Sequence, residues 1–117
     1  MITIKEAAQK FGIHAHTIRF YEKEGLLVIP RNDKGIRNFD KKSMNALKAI
    51  VCYRTVGMSL DDIKMIFNNL HDHELSLELL KNTKKELDLR ITELEDTRRY
   101  LINKIQSHET LVNQKKT

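Results

Sequence analysis

Apolar and polar positions follow two different rhythms along this chain. Up to Gly57 the apolar residues form short clusters separated by turn residues, and all four glycines and the single proline lie in that stretch; from Met58 onward nothing interrupts a helix. The pattern predicts a compact, turn-rich head followed by a helical tail. The head opens on Thr3-Ile-Lys-Glu6, a capping box in which the threonine accepts a backbone N–H and the glutamate reaches back to the cap, so a first helix is predicted from Ile4 to about Lys10. Phe11-Gly12-Ile13 turns the chain into a second helix over about His14–Glu24, stopped by Gly25. Two short helices around a glycine-containing turn form a helix-turn-helix. Leu26 to Arg31 and Ile36 to Phe39 read as short strands around the turn Asn32-Asp-Lys-Gly35, a hairpin with a positive tip. Asp40 is placed to cap a helix over about Lys41–Val56, and Ser59-Leu-Asp-Asp62 resembles a second capping box opening a helix through about Leu70.

In the tail the interval becomes seven. Leu80, Leu87, Leu94, Leu101 and His108 form one column; Ile91, Ile105 and Val112 occupy the complementary one, which Lys84 and Arg98 interrupt. This is a two-stranded coiled-coil pattern with polar breaks. A helix from about Leu75 to Val112 would be about 57 Å long at 1.5 Å per residue, too long to be buried against so small a head. It needs a second chain, the alternative being a helix folded back onto its own monomer. The predicted fold is mainly α: a winged helix-turn-helix head with a short β-hairpin wing over residues 1–70, then a dimerisation helix over 71–117 with its coiled coil at about 75–112. Leu80, Leu87, Ile91, Leu94, Leu101, Ile105 and Val112 form the predicted seam.

The second helix has a distinctive outer face. At about 100° per residue from Ile18, Tyr21 and His14 lie near the inner side, whereas His16, Arg19, Phe20 and Lys23 cluster opposite, with Thr17 at the edge. Arg19 and Lys23 suit phosphates or guanine edges, His16 and Thr17 polar base contacts, and Phe20 a sugar or thymine methyl. The competing reading is a solvated face with Phe20 folded onto a neighbour. Lys34 and Arg37 beside the wing turn suit phosphate contact, and the free backbone N–H groups near Ser59 suit another.

Charge favours the first reading. The net +5 of the 117 residues is unevenly spread: 11 Lys/Arg stand against 5 Asp/Glu up to Met58, and 10 against 11 beyond it. A basic block on a small domain is the footprint of a polyanion binder, since each cation near a phosphate releases condensed counterions. The length excludes a large multidomain enzyme. With no run of about 18 apolar residues, a polar start and one cysteine, the chain is expected to be cytoplasmic, free of membrane and of internal disulfides.

Three stretches, TIRFYEKEGLL from Thr17, RNDKGIRNF from Arg31 and VGMSLDDI from Val56, resemble in order and spacing the DNA-binding head of MerR-type transcription regulators. The resemblance covers residues 1 to about 70. It implies that Arg19 and Tyr21 hold phosphate or base edges, and that Gly35 and Arg37 belong to the first wing. It also implies an antiparallel homodimer that sets two heads on successive faces of a promoter. Such a dimer distorts the duplex to align promoter elements spaced too far apart, and meets RNA polymerase indirectly, through the promoter. Family wings often carry tyrosines around the arginine; Ile36 and Phe39 lack hydroxyls, so no phosphate bond is expected from them.

Other chemistry is sparse. His14 and His16 are expected to point apart, and His71 and His73 have no thiols nearby. No nucleophile–base–orienter set and no glycine-rich phosphate loop can be assembled, which argues against an enzyme. Metal-sensing relatives carry a cysteine-bearing loop after the dimer helix; here Val112 is followed by Asn113-Gln-Lys-Lys-Thr117, so neither a metal, a cofactor nor a fused ligand domain is expected. Cys52 lies one turn beyond Lys48 and flanks the stripe of Met44, Leu47 and Val51, a place where positive charge raises the reactive thiolate fraction. The resemblance to small regulators without metal loops implies an electrophile sensor at Cys52; a small buried hydrophobe is the alternative. Two classes of function remain, a dimeric promoter-binding regulator and a coiled-coil interaction protein that touches nucleic acid nonspecifically.

Overall fold

In the computed structural model, which describes residues 2–116, the chain forms five helices. Thr3 Oγ1 accepts the Glu6 N–H at 3.1 Å and Glu6 Oε1 accepts the Thr3 N–H at 3.2 Å, and α1 (Ile4–Phe11) starts from that reciprocal pair. It ends at Gly12, whose φ of 66° lets the next N–H, that of Ile13, return to the Ala8 carbonyl at 3.1 Å. The chain then enters α2 (Ala15–Lys23). Asp40 Oδ1 accepts the Ser43 N–H at 2.8 Å and Ser43 Oγ accepts the Asp40 N–H at 2.9 Å, closing a box that opens α3 (Lys41–Thr55). Ser59 Oγ accepts the Asp62 N–H at 3.1 Å ahead of α4 (Leu60–Asn68); Asp62 returns no bond among the described residues, so this cap is not the full box that the sequence suggests. Asp72 Oδ1 takes the Leu75 N–H at 3.0 Å at the head of α5 (His73–Lys115), an uninterrupted helix.

The core gathers one large aliphatic from nearly every part of the head. Ile18 of α2, Leu27 beyond it, Leu47 and Ile50 of α3 and Ile63 of α4 are all but sealed from water, and burial of each contributes about 1.5–3 kcal/mol. Ala7 and Ala8 of α1 are buried beside them, small enough for α1 to lie close against α2 and α3. Helix α2 is therefore fixed from within by Ile18 and Tyr21. Leu26, Ile29 and Phe39, also buried, anchor the base of the segment between α2 and α3.

That segment departs from the expected hairpin. In place of two strands there are isolated antiparallel bridges, Arg31 with Arg37 and Ile2 with Phe39. A ladder between Leu26–Arg31 and Ile36–Phe39 would need paired bonds in both directions. Asn32 donates to the Ile36 carbonyl at 2.9 Å and Asn38 to the Pro30 carbonyl at 2.8 Å, but neither bond is returned by backbone. Pro30 has no N–H to give, and the Ile36 N–H goes to Asn32 Oδ1 at 3.0 Å, which also takes the Lys34 N–H at 2.9 Å. The wing is a side-chain-built turn, completed by Gly35 at φ 76°.

The chain divides into a unit ending at Leu79 and another beginning at Leu80. No residue of α5 is buried, and the seam positions Leu80, Ile91, Leu94, Leu101, Ile105 and Val112 are all exposed, with Leu87 half-buried. No helix among the described residues is long and apolar enough to cross a membrane.

Candidate nucleic-acid interface

Helix α2 turns its polar face outward as the residue spacing requires. Ile18 is sealed in the core, while His16, Arg19 and Lys23 are exposed, Phe20 is 42% exposed and Thr17 is intermediate. The side chains of Arg19 and Lys23 have no hydrogen-bond partner among the described residues. Tyr21 stands apart from them: it is 7% exposed, a member of the core, with its ring tilted against Phe20 at 6.1 Å. Only the small exposed remainder of Tyr21 is open to a ligand.

His14 corrects the helical-wheel reading. It is the N-cap, with extended φ −80° and ψ 147°, so helical angles do not apply to it. Its ring stacks on that of His16, centroids 5.1 Å apart and planes within 10°, where the wheel sends the two apart. His14 makes no side-chain bond to the helix start, whereas Thr3, Asp40, Ser59 and Asp72 each accept one at the start of α1, α3, α4 and α5. No acid lies in the first turn of α2. Its leading N–H groups thus meet no competing side-chain oxygen, an arrangement suited to an anion.

Acids instead occupy the far end of α2, and each is paired. Glu22 Oε1 accepts from Arg37 Nε at 2.9 Å and from Arg31 Nη2 at 3.3 Å, and Arg31 Nη1 donates to the Gly35 carbonyl at 3.2 Å. Glu24 Oε2 accepts from Lys64 Nζ of α4 at 2.8 Å. That bond, with the Lys64 charge beside it, holds the Glu24 carboxyl below its ordinary value, and the same bond, with the Glu24 carboxylate's charge, raises the Lys64 ammonium above its own. Helix α2 is tied to the wing on one side and to α4 on the other. Periodicity did not single out Glu22, Arg31, Glu24 or Lys64; the Asn32-to-Gly35 turn signal was the only local hint.

On the wing, Lys34 and Gly35 are exposed, Ile36 is bare at the tip and Arg37 is half-buried by its contact with Glu22. Ser59 is exposed at the start of α4, where Asp61 and Asp62 share the first turn. Cys52 is exposed on α3, as is Lys48 one turn before it, so within this chain the thiol is not a packed core residue. Among the described residues no group of three or more His, Cys, Asp or Glu side chains is placed to hold a metal ion.

Comparison with known proteins gives the same reading. Residues 2–70 match the model of the MerR HTH family regulatory proteins, and residues 44–103 match that of the MerR DNA-binding region. An uncharacterized HTH-type transcriptional regulator of Haemophilus influenzae is 40% identical over 106 residues, 85% of this chain and 75% of that one. Among solved structures, HiNmlR, a MerR family regulator lacking the sensor domain and bound to promoter DNA, superposes with a TM-score of 0.73 at 39% identity, covering 85% of this chain and 76% of its own. A candidate MerR family transcriptional regulator from Listeria monocytogenes gives 0.78 at 32% identity, over 94% and 87% of the two chains.

Proposed function

This chain belongs to the MerR family of helix-turn-helix regulators and is a DNA-binding transcription regulator of that type, and from that premise we propose how it acts. It binds its promoter as a homodimer, reads the duplex with α2 and the wing, and distorts it, meeting RNA polymerase only through the promoter. The carrying observation is the outward set of His16, Arg19, Phe20 and Lys23, beside a wing that bears Lys34, Gly35 and Arg37. Thr17 and the exposed edge of Tyr21 extend that set, whereas at Ser59 the side-chain cap on the Asp62 N–H and the acids Asp61 and Asp62 oppose the phosphate contact that the sequence suggests. Residues 1–70 serve DNA and residues 71–117 serve pairing, through the bare apolar seam of α5. It works by binding rather than catalysis, in the cytoplasm.

The same regulator is proposed to respond to reactive electrophiles through Cys52, whose exposure supports the reading. One experiment tests both statements: titration of the full chain against its own promoter and against a scrambled duplex at physiological salt, before and after mild electrophile treatment, with wild type and Cys52→Ala. Preference for the promoter is expected, with a treatment effect in wild type alone. Equal affinity for both duplexes overturns the promoter reading; an equal treatment effect in Cys52→Ala removes the thiol from it.

A further inference from the structure

We propose that Glu22 is a positioning residue for DNA recognition, holding the wing arginines Arg31 and Arg37 against α2 so that wing and recognition helix meet the duplex as one surface. The inference rests on the promoter-binding reading above. Arg31 and Arg37 face each other across an antiparallel bridge. Like charges directly opposite on such a bridge repel, and the two backbone bonds across it, Asn32 N–H to the Ile36 carbonyl and Asn38 N–H to the Pro30 carbonyl, hold the two segments together without neutralising that charge. Ile29 and Phe39 anchor its base in the core, which leaves the tip to be set by other contacts. A single carboxylate oxygen, Oε1 of Glu22, takes both guanidinium groups at 2.9 and 3.3 Å, and Arg31 passes the connection to the Gly35 carbonyl at 3.2 Å. A continuous path of bonds thus runs from the recognition helix to the glycine of the wing turn. The Glu22 and Arg37 side chains are 20% and 22% exposed and that of Arg31 is 45% exposed, so the bond to Arg37 is the better sheltered of the two.

The mode of attachment keeps Arg37 serviceable. Glu22 engages it through Nε, and its two terminal nitrogens have no partner among the described residues, so they remain available for a phosphate. An acidic residue on a DNA-reading helix should, by charge alone, oppose binding to a polyanion. Neutralising Glu22 therefore separates the two roles by the sign of the effect.

The test titrates the full chain against the promoter and a scrambled duplex with wild type, Glu22→Gln, Arg31→Met and the double variant, with thermal unfolding of each. For Glu22→Gln the expected result is an about tenfold loss of promoter affinity, with scrambled-duplex affinity unchanged or raised and an unfolding transition close to wild type. Arg31→Met should lower the promoter-to-scrambled ratio as well, and the double variant should lose less than the sum, because both act through one connection. Tighter binding of both duplexes by Glu22→Gln overturns the proposal in favour of simple repulsion. Equal loss on both duplexes with lowered thermal stability overturns it in favour of a purely structural role, and additive losses in the double variant do the same. If Glu22→Gln does not fold, Arg31→Met alone decides by whether the ratio falls. Wild type without promoter preference removes the reading beneath the proposal, a result visible before any variant is compared.

Discussion

Arg19 and Lys34 carry the same charge on different elements, and the proposal gives them different work. Arg19 projects from a helix whose inner side is pinned by Ile18, so the backbone that presents its planar fork is held in a defined place. Lys34 sits on a turn with a flexible stem and a point charge. Arg19→Ala is expected to cost about 1–3 kcal/mol of promoter affinity and to relax preference at one base position. Lys34→Ala is expected to weaken all duplexes alike and to lower the salt slope by about 1. Binding isotherms on single-base promoter variants check both, and a uniform loss from Arg19→Ala would move that residue to the backbone. The wheel made this face legible because Ile18 and Arg19 lie well inside α2. It misplaced His14, whose backbone is not helical, and it gave no sign of Glu22, whose partners lie 9 and 15 residues away on a turn. Contacts that depend on where a loop runs leave no trace in a periodicity.

Helix starts were the most legible elements. The bond that makes a cap spans three residues, as from Thr3 to Glu6 and from Asp40 to Ser43, so the sequence holds both partners. The wing's turn was legible for the same reason, but its strands were not. A proline and an asparagine side chain together withdraw the bonds on which a ladder depends, and alternation of residue types does not count them. The cap of α3 carries a pH signature. The Ser43 N–H, followed by the Ser43 hydroxyl, holds the Asp40 carboxyl below its ordinary value. A carboxyl lowered in the folded state contributes stability that is fully present above its unfolded value and is lost as pH falls through the folded one. Asp40→Asn keeps an acceptor at the cap but removes the titration. Melting temperature followed through the acid limb should therefore fall less steeply in Asp40→Asn than in wild type, with little difference at neutral pH. Identical acid limbs would show that the Asp40 carboxylate contributes nothing to the decline.

For the whole molecule the proposed pairing turns on the seam positions of α5. Its seven-residue repeat was plain in the sequence because a coiled coil needs only the helix and the interval, with no loop geometry to resolve. What the sequence could not supply is how bare those positions are in a single chain: Leu94 is 61% exposed and Leu101 is 54% exposed. Leaving such side chains in water forgoes about 1.5–3 kcal/mol apiece, and a second copy offers the same stripe in return. The proposed pairing would also link two copies of α2, so promoter affinity should depend on residues that never meet DNA. Leu94 and Leu101 replaced together by glutamate would place unpaired charge in the proposed seam, where desolvation opposes it. The expected result is a monomer by sedimentation that keeps the head's fold and its weak affinity for any duplex but loses preference for the promoter. Retention of the dimer by this variant, or wild type sedimenting as a monomer at micromolar concentration, would remove the seam from the assembly. Loss of pairing with full promoter preference retained would show that one head suffices for recognition.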